Sequence, residues 1–274
     1  MHRISILQMT SGIDPEENGA AIVAAVKSTA EGGGSMLFTP EMCGLIDRDR
    51  KRAAKHIVSE EDNGVLTSVR HACAEHGVWV SLGSLPVLGE GGRFANRAFV
   101  IDGAGEIRAR YDKIHMFDVD LETGESWRES SAYEAGDRVS TVETPLGKLG
   151  LTICYDIRFP ALFQELGNRR CDVIAIPAAF TVPTGRDHWH VLQRARAIEA
   201  SAFVVAAAQV GRHEDGRETY GHSLVVDPWG KVILDMEQGE GLEFAELDLS
   251  RIAEVRKQLP SLANRRDIPR SDAP

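Results

Sequence analysis

The chain has 274 residues, 43% of them hydrophobic and 26% charged, and carries a net charge of −10. That length and apolar share predict a well-filled core and exclude a disordered chain or a small fold that needs staples. The acidic balance excludes a general polyanion-binding surface, which requires clustered Lys and Arg, so nucleic acid is not an expected partner.

The four cysteines, Cys43, Cys73, Cys154 and Cys171, are scattered without a CxxC pair or Cys/His ligand spacing. The N-terminus lacks the basic and apolar regions of a signal peptide. Together these predict a reducing, cytoplasmic setting. No apolar run approaches the roughly 20 residues that span a bilayer, so no membrane association is expected.

In chain order, residues 3–9 alternate as a strand, and Asp14-Pro15 opens a helix that runs to Glu31. Gly32-Gly33-Gly34 follows the helix and precedes a strand, the reverse of a phosphate loop, and reads as a helix stop. Residues 36–41 form a second strand whose exit delivers Glu41. Helical segments fill 47–76 with a break at 60–64, and Gly77 ends them. Strands follow at 78–86, 94–101 and 106–111, the last two joined by the turn Asp102-Gly103-Ala104-Gly105 and ending at Asp112-Lys113-Ile114-His115.

Residues 116–137 are polar, carry Glu122, Glu125, Glu129 and Glu134, and show little periodicity, which marks a functional or disordered loop. A hairpin over 139–143 and 148–153 then runs into Cys154, and Pro160 starts a helix to about Arg170. A strand at 172–177, a loop at 178–186, a helix at 187–201 and strands at 203–209, 222–227, 231–236 and 242–248 follow. Ser250 is expected to cap a last helix to Leu259. No repeat or linker composition divides the chain, so 1–274 reads as one domain, with 260–274 as a C-terminal arm or tail. Hairpins mixed with helical crossovers predict mixed sheets covered by helices.

Glu41, Lys113 and Cys154 each stand at a strand exit, where a sheet fixes a side chain and loops admit a ligand. Taken singly, each has a bland reading: a solvated loop acid, a surface lysine, a small buried hydrophobe. Jointly they have a chemical one, because a thiol nucleophile needs a base and the resulting oxyanion needs a cation.

The blocks Phe38-Thr39-Pro40-Glu41, Tyr111-Asp112-Lys113-Ile114-His115 and Gly150 to Pro160 around Cys154 closely resemble the nitrilase (carbon–nitrogen hydrolase) superfamily. His188-Trp189, the segment from Leu192 to Glu199, Ala206 to His213 and Tyr220 to Gly230 resemble its Nit branch, which holds deaminated glutathione amidases and ω-amidases, and the last two favour the former. The resemblance implies a four-layer αββα sandwich with two mixed sheets, an α/β fold that pairs into a homodimer or larger homo-oligomer. It implies Cys154 as nucleophile, Glu41 as general base, Lys113 as oxyanion stabiliser and Glu129 as the acid that orients Lys113. The expected reaction converts a small carboxamide, deaminated glutathione first among candidates, to a carboxylate and ammonia through a cysteine thioester, and so requires no metal and no organic cofactor.

Around this centre, the Tyr155 backbone N–H is expected to complete the oxyanion site. Arg158 is expected to bind a substrate carboxylate or pair with Asp156, and His188 to serve substrate binding or packing. His188 and His190 form an HxH pair, but no acid or thiol at useful spacing completes a metal site. His222 offers a rival Cys–His chemistry that would leave Glu41 and Lys113 idle. An ω-amidase acting on 2-oxoglutaramate, an N-carbamoyl amide hydrolase, a nitrilase and a catalytically silent interaction protein are the alternatives; the last is disfavoured by the intact trio.

Overall fold

The structure, a computed structural model, describes residues 1–268 apart from 121, 123 and 125. The first part of the chain forms β1 (His2–Gln8), α1 (Pro15–Glu31), β2 (Met36–Phe38), α2 (Arg50–Ala53), α3 (Gly64–His76), β3 (Trp79–Leu88), β4 (Phe94–Ile101) and β5 (Ile107–Asp112). A short insert holds β6 (Asp118–Asp120) and β7 (Ser126–Arg128). The second part forms β8 (Thr141–Thr144), β9 (Gly147–Leu151), α4 (Pro160–Asn168), β10 (Val173–Ala175), α5 (Val182–Ala200) and β11 (Phe203–Ala206). After these come β12 (Val210–Arg212), β13 (Glu218–Tyr220), β14 (Leu224–Val226), β15 (Val232–Asp235), β16 (Gly241–Leu247) and α6 (Ser250–Gln258).

Among the described residues two six-stranded mixed sheets form, in the orders β16-β1-β2-β3-β4-β5 and β15-β14-β11-β10-β9-β8. The two-residue period of the strands explains how they stack. Ile4, Ile6, Met36, Phe38, Ala98 and Val100 enter one cluster with Leu149, Leu151, Val173 and Phe203 of the second sheet. Their alternates Leu7, Leu37, Phe99 and Ile101 face outward onto Ile22 and Val26 of α1 and Val69 of α3. Leu162, Phe163, Ala197 and Ala200 bring α4 and α5 onto the second sheet. The result is the expected αββα sandwich. Each large apolar side chain buried this way contributes about 1.5–3 kcal/mol.

Helix ends follow local chemistry. Asp14 accepts from the Glu16 N–H at 2.8 Å, with Pro15 in the first turn, and Asn63 accepts from Leu66 N–H at 3.0 Å. Gly77 closes α3 in the left-handed region at φ 68°.

Four expectations need correction. The helical stretch over 47–76 is reduced to α2 and α3. α5 starts at Val182, not Asp187, because Pro183 suits a first turn. Ser250 is the first residue of α6 and not its cap, which is Leu249; Asp248 before it accepts from Ser250 N–H at 3.1 Å and from its hydroxyl at 2.7 Å. The polar loop contains the β6–β7 hairpin, held by Arg128 on Asp120 at 2.7 Å.

Of the C-terminal arm, residues 260–268 return to the body. Leu262 is buried, and Arg265 donates to Gln164 O at 2.7 Å and Glu199 O at 3.0 Å. Residues 269–274 lie outside the described residues. Among the described residues no helix is long and apolar enough to cross a membrane.

Candidate active site

The two sheets present their strand exits to one cleft of about 560 Å³, whose wall includes Glu41, Asn96, Lys113, Glu129, Cys154 and Tyr155. Glu41 follows β2, and the chain there is pinned from both sides. Thr39 Oγ1 accepts from Gly83 N–H at 2.9 Å, while Gln209 Nε2 donates to Glu41 O at 3.0 Å. β3 runs so close to this exit that a Cβ at Gly83 would collide with the Thr39 and Pro40 carbonyls. A side chain at 83 would therefore push the Glu41 segment out of place.

Lys113 follows β5 and donates to three carboxylate oxygens: Glu41 Oε1 at 2.9 Å, Glu129 Oε1 at 3.1 Å and Glu129 Oε2 at 2.9 Å. Glu129 is itself fixed by Phe117 N–H at 2.7 Å. Glu41 Oε2 takes the Ala179 N–H at 2.9 Å. Asn96, inside β4, spans both acids: its Nδ2 donates to Glu41 Oε1 at 3.0 Å and Glu129 Oε1 at 3.1 Å. Asn96 was not anticipated, although the sequence carries its signal. It shares the inward face of β4 with Ala98 and Val100, and a polar side chain on such a face needs a partner.

Cys154 opens the tight turn Cys154–Arg158, three residues beyond the end of β9, with φ 47°. A non-glycine residue held left-handed is strained, and strain of this kind persists only where surroundings over-determine it. Here they do. Cys154 N–H donates to Pro177 O at 2.8 Å, and Arg196 Nε donates to Ile157 O at 2.8 Å. The buried Asp156 accepts from Tyr111 Oη and Ile153 N–H at 2.7 and 2.9 Å and meets His115 Nδ1 at 2.6 Å. Asp156 thus locks the cysteine turn onto the strand that delivers Lys113.

Exposure is 4% at Glu41, 2% at Lys113 and 7% at Cys154, so electrostatics inside the cleft are weakly screened. Burial pushes the Cys154 thiol well above its ordinary value, the Glu41 charge adds to this, and Lys113 opposes it. Burial alone would raise Glu41, but the Lys113 charge and hydrogen bonds from Lys113, Cys154 and Asn96 hold it below the usual carboxylate range. Lys113 is kept cationic: burial would lower it, and Glu129 and Glu41 outweigh that. The resting arrangement is a neutral thiol beside an ionised carboxylate and an ammonium, groups whose chemistry can supply a nucleophile, a base and a fixed positive charge.

The remaining expectations divide. Tyr155 and Arg158 line the cleft. Arg158 does not pair with Asp156, whose oxygens are taken; its guanidinium lies 3.1 Å from His188 Nδ1 and 5.2 Å from the Phe180 ring. His188 stands behind Arg158 rather than in the cleft wall. The HxH pair does acquire an acid, through folding and not spacing. Asp235 lies 2.9 Å from His190 Nε2 and 2.9 Å from His222 Nδ1, the one such convergence of ligand-type groups among the described residues. This commits His222 to Asp235, outside the cleft wall, and removes the rival Cys–His chemistry.

A sandwich with a buried thiol, two carboxylates and an ammonium in one cleft defines an acyl-transfer hydrolase by class. Residues 3–257 match the carbon–nitrogen hydrolase family, and the chain belongs to that family, within the nitrilase superfamily. It is an amidase, a hydrolase of carbon–nitrogen bonds other than peptide bonds. It is 37% identical to the deaminated glutathione amidase of Yersinia enterocolitica over 97% of this chain and 93% of the relative. It is 38% identical to the Bos taurus deaminated glutathione amidase over 96% of this chain and 81% of the relative. The crystal structure of the C. elegans NitFhit protein superposes with a TM-score of 0.89 at 37% identity, covering 97% of this chain and 65% of that one.

Proposed function

We propose that the chain hydrolyses deaminated glutathione through a thioester on Cys154. The observation that carries the mechanism is the meeting of the neutral Cys154 thiol with the ionised Glu41 and the Lys113 ammonium. Glu41 takes the thiol proton as sulfur attacks the amide carbon. Lys113 and the Tyr155 N–H, the second amide of a tight turn and so without an acceptor inside it, receive the oxyanion. Glu41 returns the proton to the departing nitrogen, the C–N bond breaks, and the acyl group remains on sulfur. Water, deprotonated by Glu41, then attacks the thioester and releases the carboxylate and the thiol. Glu129 and Asn96 hold Lys113 and Glu41 in register throughout.

The relatives' names support the choice of substrate, and so does the cleft. Deaminated glutathione has a carboxylate on its 2-oxo acyl part, for which Arg158 is available beside the nucleophile with no carboxylate partner among the described residues. Its amide nitrogen belongs to cysteinylglycine, so that dipeptide leaves; ammonia is the leaving group only for a primary carboxamide. The test is therefore release of the 2-oxo diacid from deaminated glutathione, run beside 2-oxoglutaramate. A kcat/KM for deaminated glutathione at or below that for 2-oxoglutaramate would reject this substrate and leave the family assignment intact.

We further propose that residues 1–274 act as one domain and assemble as a homodimer or larger homo-oligomer in the cytoplasm. The exposed Val191 and Ile198 of α5, with Trp229 and Ile233, support a covered face, and four free cysteines suit a reducing compartment. Sedimentation of the wild type beside Val191→Glu tests the assembly: a monomeric wild type would reject it.

A further inference from the structure

Resting on the reading of deaminated glutathione as substrate, we propose that Arg48, Trp127 and Arg217 form a second carboxylate subsite, which binds the C-terminal carboxylate of the leaving cysteinylglycine. The three residues come from separate parts of the chain: the loop after β2, strand β7 and the β12–β13 hairpin. All three line the cleft. The Arg217 guanidinium lies 5.0 Å and that of Arg48 5.7 Å from the Trp127 ring centroid, so two cations share one aromatic surface.

Like charges gathered this way repel unless an anion joins them. Arg217 is committed on one side only: its Nε and Nη2 each reach Asp215 Oδ2 at 2.8 Å, and Asp215 is fully buried as a side chain. Its Nη1 has no acceptor, and Arg48 has neither a hydrogen-bond acceptor nor a carboxylate within 4.0 Å, among the described residues. The indole N–H of Trp127 is buried and unpartnered. Buried donors without acceptors are uncommon in folded proteins. Here the one buried donor is the indole N–H, on the ring that the half-buried Arg217 and the exposed Arg48 share, and a carboxylate accepts from several donors at once.

The charge of the cleft agrees. Outside the Glu41–Lys113–Glu129 centre, among the described residues, its wall carries five arginines against two acids, Asp47 and Glu218, in a chain whose net charge is −10. Asp47 is already engaged by Arg52 at 2.6 Å. Cations concentrated in a cleft of an acidic protein select anionic ligands.

Position assigns the subsite to the leaving group. From Tyr155, next to the nucleophile, a chain of rings runs outward: Phe117 lies 5.0 Å from Tyr155, and Trp127 lies 6.4 Å from Phe117. Arg158 sits 5.9 Å from Tyr155 itself, on the branch toward Phe180. The cleft thus offers one cation near the acyl carbon and a pair further out. Deaminated glutathione has the matching pattern, a carboxylate on the acyl part and another at the end of two residues, which extend about 7 Å.

The test compares deaminated glutathione with its C-terminal amide, which differs only in that carboxylate, by calorimetry in the non-turning Cys154→Ala protein. The acid should bind about tenfold or more tightly than the amide, as one charge-assisted interaction predicts. Arg48→Gln and Arg217→Lys should weaken the acid, leave the amide unchanged and so collapse the difference; Arg217→Lys keeps a cation opposite the buried Asp215. Equal binding of acid and amide to the parent, or equal losses for both ligands in the variants, overturns the subsite and leaves the arginines as a clamp on Trp127. Carboxylate-dependent binding without turnover of deaminated glutathione by the wild type rejects the proposed substrate but retains the subsite for another carboxylated amide. Binding of neither ligand overturns both.

Discussion

Asn96→Ala tests the support of the candidate centre most sharply, because it removes one amide group that holds two carboxylates. Its Nδ2 gives Glu41 Oε1 a donor at 3.0 Å and Glu129 Oε1 another at 3.1 Å, at a side chain almost fully buried. Hydrogen bonds to charged groups contribute about 1.5–3 kcal/mol each. Lys113 still reaches both acids, so part of each interaction survives, and a net stability loss of about 2–3 kcal/mol is expected. The catalytic effect should be larger in kcat than in KM, since a base held less firmly forfeits positioning; about 10- to 100-fold in kcat corresponds to 1.4–2.7 kcal/mol. Losing a donor to its charged form must also raise Glu41 toward its ordinary value, moving the acid limb of kcat/KM to higher pH. The assay is a pH profile of kcat and KM beside urea unfolding. Unchanged kcat with an unmoved acid limb would refute the idea that Asn96 keeps the base ionised and in place.

The cited shifts also fix the pH behaviour of the wild type. Glu41 is lowered when folded, so its contribution to stability is present above the unfolded value of about 4.3 and is lost as pH falls through the folded value. Lys113 is raised, so its contribution is full below about 10.4 and is lost only as pH rises through the folded value. A plateau in kcat/KM from mildly acid to mildly alkaline pH is expected, and a bell centred near 6.5 would point instead to a histidine base. At Cys154 the left-handed backbone predicts that Cys154→Gly is more stable than Cys154→Ala by about 1 kcal/mol, both inactive. Thermal unfolding of the two variants measures it, and a more stable alanine variant would contradict the strain.

Much of this centre was legible because it sits where sequence signals are strongest. Glu41 and Cys154 follow short runs of buried residues and Lys113 follows an alternating strand, each inside a block that carries the family resemblance, and the sandwich brings those exits together. Asn96 was legible in principle, as a polar residue on an inward strand face. What was hidden depends on distance in sequence. Asp235 lies 45 residues from His190 and 13 from His222, and only folding of β15 beside β14 brings the three together. Likewise Arg48, Trp127 and Arg217 share no periodic pattern, and Trp127 belongs to a hairpin whose strands are only three residues long. Short strands closed by ion pairs leave little apolar alternation to read. Gln209, read only as part of a sequence block, ties the exits of β1 and β11 by donating to Ser11 Oγ at 2.7 Å and accepting from Ser11 N–H at 3.0 Å.

The most direct measurement is intact-protein mass spectrometry after rapid quench with deaminated glutathione. The wild type should gain the mass of the 2-oxo acyl group, located by digestion on Cys154, while Cys154→Ala shows neither adduct nor turnover and Glu41→Gln accumulates little. Turnover by Cys154→Ala, or a wild type that hydrolyses amide without acylating Cys154, would contradict the account.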